Sequence, residues 1–268
     1  MDELSAAALA EGLKAIGAGL AMLGAIGAGA GIGMSDEDYA RAGASIATTA
    51  ADIYARAAMI VKVRGLRAVE FPLLRAGQLL VTFLHPASPS NHGMVSDLAR
   101  QGVTGLTLDG IPRITRAQSM DALTSMSTVA GYKGVIMAAD DLTKFLPMVG
   151  TAVGVIQPSQ VFVVGAGVAG LQALATAKRL GAMVFASDIR PEAAEQAKSL
   201  GAKIVDTLVP REMAIGSGGY ALALPDEWLK KEREAIRETV VKSDIIVLSA
   251  LVPGKIAPIL VTEDMVKE

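Results

Sequence analysis

The stretch VFVVGAGVAGLQALATAKRLGAMVFASD, Val161 to Asp188, restricts this chain's fold more than any other. An apolar run, Val161–Val164, leads into G-x-G-x-x-G at Gly165, Gly167 and Gly170. A helical pattern follows over 168–180, then a strand pattern over 183–187 that ends on Asp188. The first Gly permits a tight turn, the second lets a pyrophosphate approach the backbone, and the third lets the helix pack on the strand. The helix N-terminus offers free N–H groups and a positive dipole end to phosphate. A carboxylate at Asp188 accepts hydrogen bonds from both adenosine ribose hydroxyls and repels a 2′-phosphate. Glycines in an Ala/Gly-rich chain also fall into this spacing by chance. Strand, helix and acid in register argue against chance here and predict dinucleotide binding, NAD(H) over NADP(H). Arg190, two residues past the acid, is the residue placed to meet a phosphate instead.

The rest of the chain repeats the alternation. MIVKV (59–63), LLVTFL (79–84) and VTGLTL (103–108) read as strands separated by helix or turn patterns. After Asp188 come a helix over 191–200, a strand KIVD (203–206), a charged helix over 226–242 and a strand IIVLSA (245–250). Alternating strands and helices predict parallel βαβ units and an α/β fold. With 28 Gly and 4% aromatic residues in 268, tight helix–sheet packing is expected. Ser35 is read as the N-cap of a helix through SDEDYARAGASIATTAADIYARA. A net charge of −2 gives no reason to expect nucleic acid. Zero Cys excludes disulfides and thiolate metal sites, and two His, His85 and His92, are too few for a His-based one, so no metal is expected.

Ala15–Met34 is an uncharged run of 20 residues, long enough to span a bilayer as a helix. Seven of these residues are Gly and six are Ala, which makes a lone span marginal and suits close helix packing. Three regions are expected: a Gly/Ala-rich segment over 1–34, a partial α/β domain over 35–122, and a dinucleotide domain over 123–268.

PRITRAQSMD, Pro112–Asp121, concentrates polar groups without a nucleophile or an obvious general base. Thr115-x-x-Gln118 has the spacing of a capping box. Arg113 or Arg116 could pair with Asp121. Residue spacing alone favours these local roles.

GAGVAGLQALATAKRLGA, PRITRAQSMDALTSMSTVAGYKG, the GSGGYA loop and ALVPGKIAPILVTEDMV together resemble the NAD(H)-binding domain I of proton-translocating nicotinamide nucleotide transhydrogenase, in its alpha subunit. The resemblance runs from about Ser35 to Glu268, with four motifs in family order. It implies two Rossmann-like parallel-sheet domains of the alanine dehydrogenase/transhydrogenase type, the second without its last strands. It implies that Arg113, Gln118 and Asp121 hold the nicotinamide end of NAD(H). Thr124 stands where the family usually has Ser, keeps a hydroxyl, and is expected to contact the cofactor. Tyr220 is expected to close over the nucleotide. Gly165, Gly167, Val168, Gly170, Asp188, Arg190 and Ala250 are expected to contact the cofactor. The resemblance further implies a beta-subunit partner carrying NADP(H) and the membrane domain, a homodimer, and a peripheral location on the cytoplasmic face of the inner membrane. Hydride passage between two nicotinamides moves no proton at the reacting carbons, so positioning suffices.

Two departures and two alternatives accompany that reading. IGAGLAMLGAIGAGAGIG resembles the first helix of the rotor-ring c subunit of F-type ATP synthase, but no second helix with a proton-carrying carboxylate follows. The tail GAGAGIGMSDEDYARAGA also fits the transhydrogenase pattern, which sets a join near residue 27. The chain stops before the strand the family has after MVK. An alanine dehydrogenase-like enzyme would use His85 and Lys62, which otherwise read as a strand-end His and a solvated or paired strand Lys. The second alternative is a non-catalytic nucleotide-binding or membrane-tethered module.

Overall fold

The computed structural model describes residues 35–112, 114–216, 221–252 and 255–268, which fall into two compact units divided between Met126 and Ser127. The sequence pattern places the boundary slightly earlier, between 122 and 123.

The first unit opens with helices α1 (Asp36–Arg41) and α2 (Ala50–Arg56), where the pattern predicts one continuous helix. Gly43, at φ +91°, turns the chain after α1. Thr49 then caps α2 by accepting the Asp52 N–H. Ser35 caps α1 as expected, in a reciprocal capping box with Asp38. Strands β1 (Met59–Val61), β2 (Leu79–Thr82) and β3 (Thr104–Thr107) form a parallel sheet in that order, and α3 (His92–Arg100) connects β2 to β3. Leu80, Val81 and Thr82 are all buried, as suits a central parallel strand covered on both faces. Leu80 packs with Tyr54, Ile60 and Leu98, while Val81 packs with Phe83, Leu108 and Ala122.

Helix α4 (Ala122–Asp141) starts in the first unit and ends in the second. The second unit continues with a hairpin that the sequence pattern does not predict, β4 (Val149–Thr151) and β5 (Gly154–Ile156). Then follow β6 (Gln160–Val164), α5 (Val168–Arg179), β7 (Met183–Ser187), α6 (Pro191–Ser199), β8 (Lys203–Ile204), α7 (Arg211–Ala214), α8 (Asp226–Lys242), β9 (Ile245–Leu248) and α9 (Glu263–Lys267).

The four-stranded parallel sheet runs β8-β7-β6-β9. In order of appearance that is 3-2-1-4, the arrangement of a dinucleotide-binding half-sheet. Period-2 alternation sends β6 side chains to two cores. Val161 and Val163 pack with Ala173, Leu174 and Ala177 of α5. Phe162 and Val164 pack with Ile236 and Val240 of α8. Gly131 of α4 permits a close helix approach, since a Cβ there would lie 2.1 Å from the Ala169 carbonyl oxygen. Among the described residues no helix is long and apolar enough to cross a membrane. Ala15–Met34 lies outside those residues.

Candidate functional site

Strand order reverses between β6 and β9, and the glycine turn sits at that switch point, where ligands of such sheets bind. Gly165 stands at φ +94°, and a Cβ there would come within 2.5 Å of the Ala250 nitrogen. Gly170 is equally constrained, because its Cβ would fall 1.9 Å from the Gly165 carbonyl oxygen. Ser249 closes the turn from the β9 side, its hydroxyl donating to the Gly165 oxygen at 2.6 Å. Ala250 donates its N–H to the Val164 oxygen at 3.1 Å, which ties the β9 end to the turn.

Gly167 differs from its neighbours. It caps α5 at φ −78° with no side chain bonded to the first-turn N–H groups. A Cβ added there meets nothing within 4 Å. Folding therefore does not demand glycine at 167, whereas a ligand approaching the helix terminus does. Val168, the first helical residue, is partly exposed beside it.

Asp188 follows β7 and faces the turn. Its Oδ2 accepts the Ala166 N–H at 2.8 Å, so the expected acid is fastened to the glycine turn itself. Arg190 binds the same carboxylate through Nε to Oδ1 at 2.9 Å and Nη2 to Oδ2 at 2.7 Å, and its backbone N–H also donates to Oδ1. The Asp188 hydrogen bonds raise the Arg190 guanidinium further above its ordinary range, against the opposing effect of burial. Motif spacing gives no hint of this clamp. A cleft of about 610 Å³ opens beside Asp188 between α6 and β8, bordered also by Ile189, Lys198 and Lys203. The loop between α7 and α8 is pinned at its base by the Ile215–Ala221 bridge. Tyr220 lies outside the described residues, as does Arg113.

In the first unit, Thr115–Met120 forms a 3-10 helix whose N-cap, Ile114, provides no side-chain bond. The capping box anticipated for Thr115 and Gln118 is therefore not formed. Gln118 is exposed. Asp121 works as a helix cap: its carboxylate accepts the Thr124 N–H at 2.9 Å and the Thr124 hydroxyl at 2.7 Å, at the start of α4. Asp121 and Thr124 are thus brought together within one turn.

Lys62 and His85 are each engaged locally. Lys62 Nζ meets Glu70 Oε2 at 2.5 Å. His85 Nδ1 lies 3.2 Å from Asp109 Oδ2, and its ring stacks on Phe83. Among the described residues no group of three or more His, Cys, Asp or Glu is placed to hold a metal.

The N-terminal domain model described as alanine dehydrogenase/PNT matches residues 5–130, and the corresponding C-terminal domain model matches 134–268. The first match takes in most of the Gly/Ala-rich segment that composition sets apart. Over 260 residues the chain is 42% identical to the first portion of the NAD(P) transhydrogenase alpha subunit of Rhodospirillum rubrum, covering 94% of this chain and 67% of that one. It is 44% identical over 241 residues to NAD(P) transhydrogenase subunit alpha of Cereibacter sphaeroides, covering 90% of this chain and 46% of the relative. The crystal structure of a transhydrogenase from Sinorhizobium meliloti superposes with a TM-score of 0.72 at 42% identity, over 90% of this chain and 64% of that structure. The chain therefore spans between about half and two thirds of the length of these relatives. With both domain models matched in order and the fold shared, the chain belongs to the alanine dehydrogenase/PNT family.

Proposed function

We propose that this chain is the NAD(H)-binding component of a proton-translocating NAD(P) transhydrogenase and presents NADH for direct hydride transfer to NADP+ on a partner domain. The observation that carries the reading is Gly167, a glycine that folding does not require, at an uncapped helix terminus beside the acid held by Ala166 and Arg190. That cradle fits a dinucleotide. N–H groups of the first turn of α5 meet the pyrophosphate, and Asp188 meets the adenosine ribose. Bound nicotinamide supplies or accepts the hydride.

The chain's own groups then position and exclude water. Arg113, Gln118 and Asp121 orient the nicotinamide end, Thr124 contacts the cofactor beside them, and Tyr220 closes over the nucleotide. The motifs PRITRAQSMD and GSGGYA support these assignments. No acid or base is needed because no proton moves at the reacting carbons.

With one dinucleotide fingerprint in its sequence, the chain depends on a beta subunit for NADP(H) and for the membrane domain. A homodimer is part of the same reading. The β4–β5 hairpin belongs to neither parallel sheet and exposes Val153, Val155 and Ile156, with Phe145 and Met148 close by in sequence. The assembly would sit peripherally at the cytoplasmic face of the inner membrane.

The test is reconstitution. Chain plus an NADP-binding partner domain should transfer hydride from NADH to an NADP+ analogue, and either component alone should not. Robust transfer by the isolated chain would overturn the proposed division of labour. Alanine-dependent reduction of NAD would instead select an amino-acid dehydrogenase acting through Lys62 and His85.

A further inference from the structure

Beyond β2 the chain runs through Phe83 and Leu84 to His85, where the backbone enters the left-handed region at φ +46°. Glycine or asparagine takes that conformation at lower cost, and Pro86, next in the chain, favours an extended backbone at 85 instead. The His85 side chain is 57% exposed, so core packing does not require an imidazole either. The ring is nevertheless fixed on two sides. It stacks on Phe83 with centroids 5.5 Å apart and planes 12° apart, and its Nδ1 lies 3.2 Å from Asp109 Oδ2. Asn91 holds the same turn, donating from Nδ2 to the Leu84 oxygen at 3.1 Å and to the His85 oxygen at 3.2 Å.

Asp109 lies in the turn after β3, just ahead of Pro112–Asp121. Its Oδ1 accepts the Thr107 hydroxyl, and the same hydroxyl oxygen accepts the Leu84 N–H at 3.2 Å, so the ends of β2 and β3 are joined twice. Burial works to raise the Asp109 carboxyl, but the Thr107 hydroxyl, backbone N–H groups and the His85 ring outweigh it and hold it below its ordinary range. The far end of the loop returns to the same place. Ala122 is fully buried and packs with Val81, Phe83 and Leu108. Both feet of Pro112–Asp121 therefore stand on the cluster around Phe83, and His85 braces the first of them.

We propose that His85 is a positioning residue: through Asp109 it fixes the start of Pro112–Asp121, so that the polar groups on that loop meet the nicotinamide in a set geometry. The proposal rests on the nucleotide-binding reading above. His85 acts on Asp109 and not on the cofactor. Its loss should loosen the loop and slow hydride transfer, while the glycine turn and Asp188 keep their hold on NADH.

The experiment compares the wild type with His85→Asn, Asp109→Asn and the double variant. Asparagine suits the left-handed backbone at 85 but cannot replace the ring stack, so the turn survives while the brace is lost. Hydrogen exchange of the chain alone, read by mass spectrometry, reports on the loop directly. The amides of Ala117, Gln118 and Asp121 bond within the loop, to the Ile114 and Gln118 oxygens. A peptide spanning 114–121 should exchange at least about threefold faster in each variant, with a β2 peptide over 79–82 unchanged. In the complex reconstituted with an NADP-binding partner domain, single-turnover transfer should fall at least about tenfold, with NADH affinity within about threefold of the wild type. The double variant should match the single ones, since the two residues act as one unit. Unchanged loop exchange, wild-type transfer in the single variants, or losses that multiply in the double variant would overturn the proposal. A parallel fall in NADH affinity would overturn it as well. Absence of NADH binding by the wild type would overturn the nucleotide reading instead, and loop exchange, measured without nucleotide, would still decide whether His85 braces the loop.

Discussion

Arg190 grips both oxygens of Asp188, and Asp188 in turn holds the Ala166 N–H of the glycine turn. The acid expected to select the cofactor therefore also organises the cradle. Asp188→Ala removes ribose acceptors and leaves Arg190 and the Ala166 N–H without their partner. The variant should lose about 1–3 kcal/mol of stability. NADH should bind more weakly, and the preference over NADPH should narrow because Arg190 is released toward a phosphate. Paired thermal melts and fluorescence titrations check both effects. Equal NADH and NADPH affinity in the wild type would refute the selection role.

Gln118 provides a cleaner test of positioning. It is exposed, and the 3-10 helix around it has no side-chain cap, so Gln118→Ala should shift stability by no more than about 0.5 kcal/mol. Ring misplacement of about 1 Å can slow transfer about 100-fold, whereas losing one of several cofactor hydrogen bonds costs binding about tenfold or less. Single-turnover transfer in the reconstituted complex should thus fall at least about ten times more than NADH affinity does. Parallel losses in both would count against a positioning role.

Asp121 should behave differently because it caps α4. Asp121→Ala should cost about 0.5–2 kcal/mol of stability in addition to slowing transfer. Asp121→Asn keeps a capping oxygen and should recover most of the stability. If its transfer rate also recovers fully, the carboxylate charge has no role at the nicotinamide end.

Acid should loosen the first unit through Glu70. Burial works to raise this carboxyl, but Lys62, the Arg67 N–H and the Arg67 guanidinium outweigh it and bring it down to about 2. The unfolded chain then binds the proton more tightly, so the contribution is present above the ordinary glutamate range and is lost as pH falls toward 2. Glu70→Gln should be less stable than the wild type at pH 7, and the difference should shrink between about pH 4.5 and pH 2. Unfolding curves at several pH values measure this; a constant difference would contradict the assignment.

The sequence exposes the elements of this structure whose pattern is local. The βαβ unit around Gly165 and Asp188 is legible because each glycine has a separate steric duty, and helix 226–242 because charge and apolar spacing agree. The hairpin β4–β5 is not legible because VGTAVGVI offers only three residues per strand, too few for alternation to register. The single helix expected through Gly43 extends too far, since a left-handed glycine inside an Ala-rich run looks like any other small residue. The Arg190 clamp on Asp188 is invisible for a different reason. The two residues are only two apart, but their spacing does not say whether the guanidinium folds back onto the carboxylate or reaches outward.

Gly167 tests the central claim most directly. Its N-cap position welcomes Asp, which would bond the open first-turn N–H groups and complement the dipole of α5. Those are the same N–H groups that a pyrophosphate would use. The measurement is NADH affinity by fluorescence titration for the wild type and Gly167→Asp, with thermal unfolding of both. The prediction is saturable NADH binding by the wild type and a loss of at least about tenfold in Gly167→Asp, about 1.4 kcal/mol or more, with a melting temperature equal to or above that of the wild type. No saturable binding by the wild type, or undiminished binding by the variant, would contradict the claim that this turn holds NAD(H).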